Sequence, residues 1–440
     1  MRFFFLASFL LSSLSNHAQT INGNRIPHWN HLGNYDTTWI INLQPVLFDT
    51  VQFSHGFDPN QTFDYIFSNY PNSKIILPAG TLSLNTPIIL PENTLLEGKG
   101  VDSTNLVFNT TQQLNLISIV GSKTADYSYS TTILKGDTFI LNTGMQLSLI
   151  PNDFLYVFDD DTPQITSSWA EKSTGQYLRV NHVSNDTIYI INPIRRNYTS
   201  PISISTITPI RNIGMRKFKI TATEETTNQT TNIQFKFAVN CFVNCLKSEN
   251  CNFSHITLEN SSNINITKSE FKDGFTYGSG GKAYGVALQF GTGDCLVENN
   301  YFKHLRHSVL MQAGANGNVI GYNYSVDPYW TDVSLPSNSA GDIVFHGNYT
   351  YMNLVEGNNC QHIVIDDSHG KNGPFNTLFR NRSDLYGLFM NNNPSTDSLN
   401  VIGNEITNTG FLLGLYILSG NGHFTYGNNI KGVCNPISTE

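Results

Sequence analysis

The chain has 440 residues, of which only 13% are charged, and it is rich in Gly, Asn, Ser and Thr. Such a mixture suits many short strands and turns and argues against a helical protein. The net charge of -8 excludes the basic stripe of a usual nucleic-acid binder, while leaving room for a local basic groove.

In chain order, Arg2 precedes an apolar run over 3–11, and small polar residues follow as far as Ala18. This pattern predicts a secretory leader over 1–18. The run is far shorter than the ~20 residues a helix needs to cross a bilayer, and no later stretch approaches that length. The expected mature chain therefore begins near Gln19, is soluble and lies outside the cytoplasm, extracellular or periplasmic. An N-terminal segment fills 19–58, and the first turns of the main architecture occupy 59–130.

Residues 131–212 read differently. The runs 153–158, 176–180 and 187–191, separated by Asn-Asp and Pro turns, predict antiparallel strands inserted into the main body. Asp159-Asp160-Asp161 reads first as an exposed polar turn, with calcium, which takes such oxygen ligands, as the alternative; no cofactor is assigned beyond that. All six cysteines, Cys241, Cys245, Cys251, Cys295, Cys360 and Cys434, come later. Export permits disulfides, buried thiols are the other reading, and without a CxxC pair zinc has no support.

From 213 to 434 the chain repeats a phrase: an apolar pair, Glu or Gly, then Asn. It appears as Leu296-Val297-Glu298 before Asn300, Val319-Ile320-Gly321 before Asn323 and Leu354-Val355-Glu356 before Asn358, and continues through Asn381, Asn404 and Asn428. Asn300 to Asn323, Asn358 to Asn381 and Asn381 to Asn404 are 23 residues each; Asn323 to Asn358 is 35, so 12 residues are inserted there, about 327–338. A fixed period in this range means a solenoid. Twenty-three residues leave no room for a helix pair, and the leucine-rich-repeat signature is absent. Stacked strands about 4.8 Å apart with Asn at one place in every turn predict an amide ladder, and the fold class is an all-β parallel β-helix. Residues 435–440 form a tail.

Three early segments carry a resemblance: Phe63-Asp64-Tyr65-Ile66-Phe67, Lys74-Ile75-Ile76-Leu77-Pro78-Ala79-Gly80-Thr81, and Pro91-Glu92-Asn93-Thr94-Leu95-Leu96-Glu97-Gly98-Lys99-Gly100. They resemble the opening of pectate-lyase-like proteins, right-handed parallel β-helices whose first turn is capped by a short amphipathic helix. The resemblance implies a polysaccharide as the partner; with the charge against nucleic acid and no run long enough for a transmembrane span, a monomer is expected. It does not select an activity, because lyases, hydrolases, epimerases and noncatalytic proteins share the fold. Polygalacturonases in that superfamily pair adjacent aspartates with His-Gly; this chain has Asp366-Asp367, His346-Gly347 and His369-Gly370, but lacks their Arg-x-Lys motif.

Alternate side chains of a strand face outward, so aligning turns on the Asn ladder picks out an outer column. Gln289 and Gln312 lie 11 residues before their ladder Asn, and His346, His369 and Asn392 lie 12 before theirs. Steps of two and four residues add Asp367 and Asp342 to the same face, with Asp366 expected inward. Arg306, His307 and Lys371 are placed nearby to hold an acidic group, and Trp330, with Tyr329 and Pro336 on the 12-residue insertion, as a wall for a sugar ring.

Two chemistries fit this column. Asp342 and Asp367 are expected about 8 Å apart from strand spacing and rise, within the roughly 6.5–9.5 Å window of inverting glycosidases. Elimination instead needs a base such as His346 or His369 and a cation to neutralise a carboxylate. The expected activity is cleavage of an acidic glycan by β-elimination, with inverting hydrolysis or glycan binding without turnover as the alternatives.

Overall fold

The protein is described here by a computed structural model covering residues 25, 29, 32, 36–55, 58–199, 201–332, 339–391 and 395–435. The expected leader, Asn392 and Pro336 lie outside the described residues. No described helix is long and apolar enough to cross a membrane.

The chain winds as a right-handed parallel β-helix. One sheet of 13 strands runs from Gln44–Leu47 to Phe424–Tyr426, and a second of 20 strands bends around the other two faces. Each turn visits all three: Leu296–Glu298, then Tyr301–Lys303, then His307–Met311, before Val319–Gly321 stacks on Leu296–Glu298. The bend is visible in Asn359–Ile365, where Asn359 pairs with Tyr324 on one face and Ile363 with Ile343 on the next. Inward residues such as Val297, Ile320, Val355, Leu378 and Val401 stack into one continuous core.

The cap helix spans Pro59–Asn69, begun by Asp58, whose carboxylate accepts the Asn60 N–H at 2.9 Å, and by Pro59 at its first position. Its Phe63 and Ile66 close the end of the core against Val46, Phe48 and Ile75.

The Asn ladder runs unbroken from Asn300 to Asn428, with amide-to-amide distances of 2.9–3.0 Å. Asn381 shows why Asn is needed: its Nδ2 donates to Asn404 Oδ1 at 3.0 Å and to the Val355 carbonyl at 2.9 Å, while its Oδ1 accepts from Asn358 Nδ2 at 2.9 Å and from the Asn358 N–H at 3.1 Å. A second ladder, Asn318 to Asn353 to Asn376, stacks at another corner; the repeat phrase does not contain these residues and did not reveal it.

The insertion is a six-stranded antiparallel sheet in the order Ser122–Tyr129, Ile202–Thr208, Phe154–Asp159, Gln176–Ser184, Thr187–Ile190, Phe139–Leu141. Its strands start at Ser122, ahead of the 131 expected from sequence, because Ser122–Tyr129 reads as an ordinary polar turn until it pairs with Ile202–Thr208. It has its own core of Leu155, Val157, Leu178, Val180 and Ile204. Buried Arg195 fastens it to the solenoid, pairing with Asp294 and donating to Asn316 Oδ1 at 2.8 Å. The approach is close: a Cβ on Gly314, at φ +71°, would meet the Ser173 carbonyl at 1.9 Å.

The aspartate triplet serves this insertion. Asp159 pairs with Arg196, Asp160 accepts the Thr162 N–H at 3.1 Å, and Asp161 accepts the Ser173 N–H at 2.9 Å. No group of three or more His, Cys, Asp or Glu suited to a metal ion occurs among the described residues. The six cysteines are free thiols: Cys241, Cys251, Cys295 and Cys360 are buried, Cys245 is half-buried and Cys434 is exposed.

Candidate functional site: a groove on the outer face

Nine parallel strands, from Ile117–Val120 through Thr231–Lys236, Ser254–Glu259, Tyr284–Gln289, His307–Met311, Ile343–Phe345, Asn359–Ile365 and Arg382–Met390 to Leu415–Ile417, form the floor of a groove of about 1130 Å³. The register Glu259↔Gln289, Leu288↔Met311, Met311↔Phe345, Phe345↔Ile365 and Ile365↔Met390 places Glu259, Gln289, Gln312, His346, Asp366 and Asn391 in one outward column. All six line the groove.

The centre of this column is a histidine and carboxylate pair. His346 Nδ1 lies against an Asp366 oxygen. Asp366 also accepts from Asn391 Nδ2 and, at 2.9 Å, from the Ser368 N–H. Burial works to raise its pKa, but the bond and charge of His346, with Ser368, outweigh that and hold the carboxyl well below the usual range. Asp366 therefore stays ionised and fixes the imidazole, leaving Nε2 as the nitrogen available to a ligand. His369 stands edge-on to His346, ring centroids 4.7 Å apart, with its Nδ1 3.4 Å from Ser167 Oγ. Burial, and after it the electrostatic influence of His346, lowers its pKa.

The walls come from insertions. Trp169, on the short helix Ser168–Ala170 of the antiparallel region, packs edge-on against Phe290 and His369. Trp330 and Arg306 also line the groove, the guanidinium 5.0 Å from the indole centroid and held by the carbonyls of Gly278, at 2.9 Å, and Gly280. Arg306 Nε and Trp330 Nε1 are buried with no hydrogen-bond partner among the described residues. His304 stacks on Tyr329 at 4.9 Å and bonds Asp327 at 2.9 Å, anchoring the segment that carries Trp330.

Several expectations need correction. Asp367 does not face outward: it is 0% exposed and accepts from the Asn372 N–H at 3.0 Å, Asn372 Nδ2 at 2.9 Å and the Thr396 N–H at 2.9 Å, tying two turns together. Burial raises its pKa against those bonds. Asp366, expected inward, is the outward one. The strand ends at Ile365, so the two-residue step from His369 to Asp367 crossed a turn in which alternation no longer holds. Asp342 is likewise 0% exposed, accepting from Ser325 Oγ and from the N–H groups of Gln361 and His362 at 2.9 and 2.7 Å; burial pushes its pKa up to about 6 against these bonds. His307 is buried behind the groove, Nδ1 2.9 Å from the Gly341 carbonyl, and burial and then Arg306 drive its pKa well down. Lys371 is exposed, pairs with Asp397 at 3.0 Å and does not line the groove. Gln289 and Gln312 do line it, as do Arg306, Trp330, His346 and His369.

Sequence reasoning missed Glu259, Gln234, Asn115, His362 and Trp169, all groove-lining. The ladder alignment stopped at Asn300, because Ser269 occupies that place one turn earlier: its Oγ accepts the Leu246 N–H at 3.1 Å and donates to the Thr267 carbonyl at 2.9 Å, while its own N–H donates to Asn300 Oδ1 at 3.0 Å. Even with Ser269 as a rung, Glu259 lies 10 residues before it where Gln289 lies 11 before Asn300, and only the Glu259↔Gln289 register brings it into the column.

The fold is thus a right-handed parallel β-helix, with an outer groove centred on a histidine and carboxylate pair. No known protein family matches the chain by sequence, and no curated protein does. Among solved structures it is similar to the tailspike protein gp49 of Pseudomonas phage LKA1, with a TM-score of 0.60 and 16% identity over 79% of this chain; the match covers 56% of that tailspike, so the chain spans about half its length. It also matches a tailspike protein variant of E. coli bacteriophage HK620 in complex with a pentasaccharide (TM-score 0.45, 12% identity, 96% of this chain and 64% of that one). A third match is the A-module of mannuronan C-5 epimerase AlgE4 from Azotobacter vinelandii (TM-score 0.39, 11% identity, 80% and 74%).

Proposed function

We propose that this protein is an exported, single-chain polysaccharide-processing enzyme that cleaves an acidic glycan by β-elimination. The observation that carries the reading is the His346–Asp366 pair facing the groove that Arg306 also lines. A carboxylate that accepts from one imidazole nitrogen fixes the tautomer and leaves the other as a base. In elimination, His346 Nε2 takes the proton α to the sugar carboxylate, the C–O bond to the leaving sugar breaks, and a C=C bond forms in the ring. The imidazolium then returns its proton to the leaving oxygen, with Asp366 stabilising the cation meanwhile. Arg306 neutralises the sugar carboxylate, which lowers the cost of the carbanion-like transition state.

Hydrolysis by paired carboxylates has less support. Asp342 and Asp367, its intended pair, are buried and saturated with hydrogen bonds. The remaining groove carboxylate, Glu259, is four strand steps from Asp366 in the register, about 19 Å at the usual strand spacing and well beyond the roughly 6.5–9.5 Å of an inverting pair.

The test is to incubate the purified protein with a panel of uronate-containing and neutral polysaccharides. Ultraviolet absorbance from unsaturated sugar ends is the expected result. New reducing ends without that absorbance would replace elimination by hydrolysis, and binding with neither product would leave a glycan-binding protein.

A further inference from the structure

The groove is long, and its charge is uneven along its length. From Asp366 the column continues through Gln312 and Gln289 to Glu259, joined by hydrogen bonds: Gln312 Nε2 donates to Gln289 Oε1 at 2.6 Å and Gln289 Nε2 to Glu259 Oε1 at 2.9 Å. From the other side Asn115 Nδ2 donates to Gln234 Oε1 at 2.8 Å and Gln234 Nε2 to Glu259 Oε2 at 3.2 Å. An ionised carboxylate only accepts, so every amide in the row is turned toward Glu259 and each keeps one N–H for a ligand oxygen. The strand spacing of about 4.8 Å is close to the rise of one sugar in an extended glycan.

Arg306 is the single lysine or arginine among the described residues lining the groove, against two carboxylates, Glu259 and Asp366. Lys236 approaches Glu259 at 3.8 Å but is not among the lining residues. At the other end the floor is apolar, with Val364, Phe389 and Leu415 around His362, whose imidazole burial pushes down to about 3 and so keeps uncharged at neutral pH. A homopolyuronate would lay a carboxylate on every step of this row, one of them against Glu259 and others against apolar floor, with a single guanidinium to meet them all.

We infer that the groove takes a heteropolysaccharide in which acidic sugars are separated by neutral ones, the acidic sugar seating at Arg306 and His346 and neutral sugars lying along the amide row toward Glu259. The inference rests on the reading of the groove as a glycan site, and deepens it by naming the substrate class. Amide N–H groups and a carboxylate suit sugar hydroxyls, which donate and accept; they do not suit a file of anions.

The experiment measures binding, so that it does not depend on turnover. The His346→Ala protein is titrated calorimetrically with polygalacturonate and alginate, as homopolyuronates, and with hyaluronan and gellan, in which uronate alternates with other sugars. The expected result is that at least one mixed glycan binds at least tenfold more tightly than either homopolymer, and that Glu259→Gln, checked for an unchanged melting temperature, improves polygalacturonate binding by about tenfold, the scale of one close like-charge contact. Homopolyuronate binding as tight as that of any mixed glycan overturns the inference, as does failure of every mixed glycan to bind. A preference for mixed glycans with no unsaturated product from the unmutated protein would discard elimination and leave this inference standing.

Discussion

Two faces of the same solenoid obey opposite rules. On the ladder corner each turn from Asn300 to Asn428 presents the same residue making the same bonds. On the groove face the same register holds Glu259, Gln289, Gln312, His346, Asp366 and Asn391, and only the two Gln repeat. A stack gains most when identical groups bond identical groups, as in an amide ladder, so repetition is what stability alone would select. A column that refuses to repeat while facing a groove has been shaped by something outside the fold. In such a protein the departures from the period point to chemistry, and the period itself points to structure.

The contrast is broken most directly at His346. Replacing it with Ala should cut turnover by roughly 10²–10⁴-fold, with no change in melting temperature, once a substrate is in hand; full activity would return the groove face to the status of decoration. Asp366→Asn should act in the same direction through the orientation of His346, and more weakly.

The inward aspartates belong with the ladder, and a pH titration of stability sharpens that assignment. Asp342 is pushed up to about 6 in the folded chain, above its unfolded value near 3.9. Between those values the folded state holds a proton that the unfolded state has lost, so stability is greatest below about pH 4 and declines as pH rises through about 6, by up to about 3 kcal/mol for this one group. Asp342→Asn, which keeps an acceptor for the Gln361 and His362 N–H groups, should flatten that decline in denaturant midpoints measured across the window. Asp367→Ala strips the acceptor from the Asn372 and Thr396 N–H groups and should cost about 3 kcal/mol of stability, while turnover per folded molecule survives; a catalytic loss without destabilisation would restore it to the site.

Smaller effects complete the series. Asn381→Ala removes one rung and should lower stability by about 2 kcal/mol, leaving activity per folded molecule intact. Lys371→Ala, which breaks an exposed pair with Asp397, should change stability by no more than about 0.5 kcal/mol and leave glycan binding untouched.

Legibility in the sequence followed the same division. The β-helix, its cap helix and the antiparallel insertion could be read because repetition, capping and alternation are local patterns. His346, Gln289 and Gln312 were reachable by counting from the ladder, and Arg306 by the cluster of basic residues just before a strand. Asp366 and Asp367 were exchanged because counting fails where a strand ends: one residue past Ile365 the backbone turns, and which carboxylate faces outward is decided by Asn372 and Thr396 on neighbouring segments. Trp169 was out of reach, since it enters the groove from an insertion whose docking depends on the buried Arg195–Asp294 pair, and nothing in the local sequence announces that contact.

The ladder also makes the molecule divisible. Because Arg382 pairs with Glu405 and Asn381 bonds Asn404 as Asn404 bonds Asn428, the solenoid behaves as a one-dimensional stack in which a turn is a unit cell. Cutting out 382–404 as a block joins Asn381 to Glu405 with every remaining rung still in step, so the shortened chain should fold with a nearest-neighbour loss of stability only.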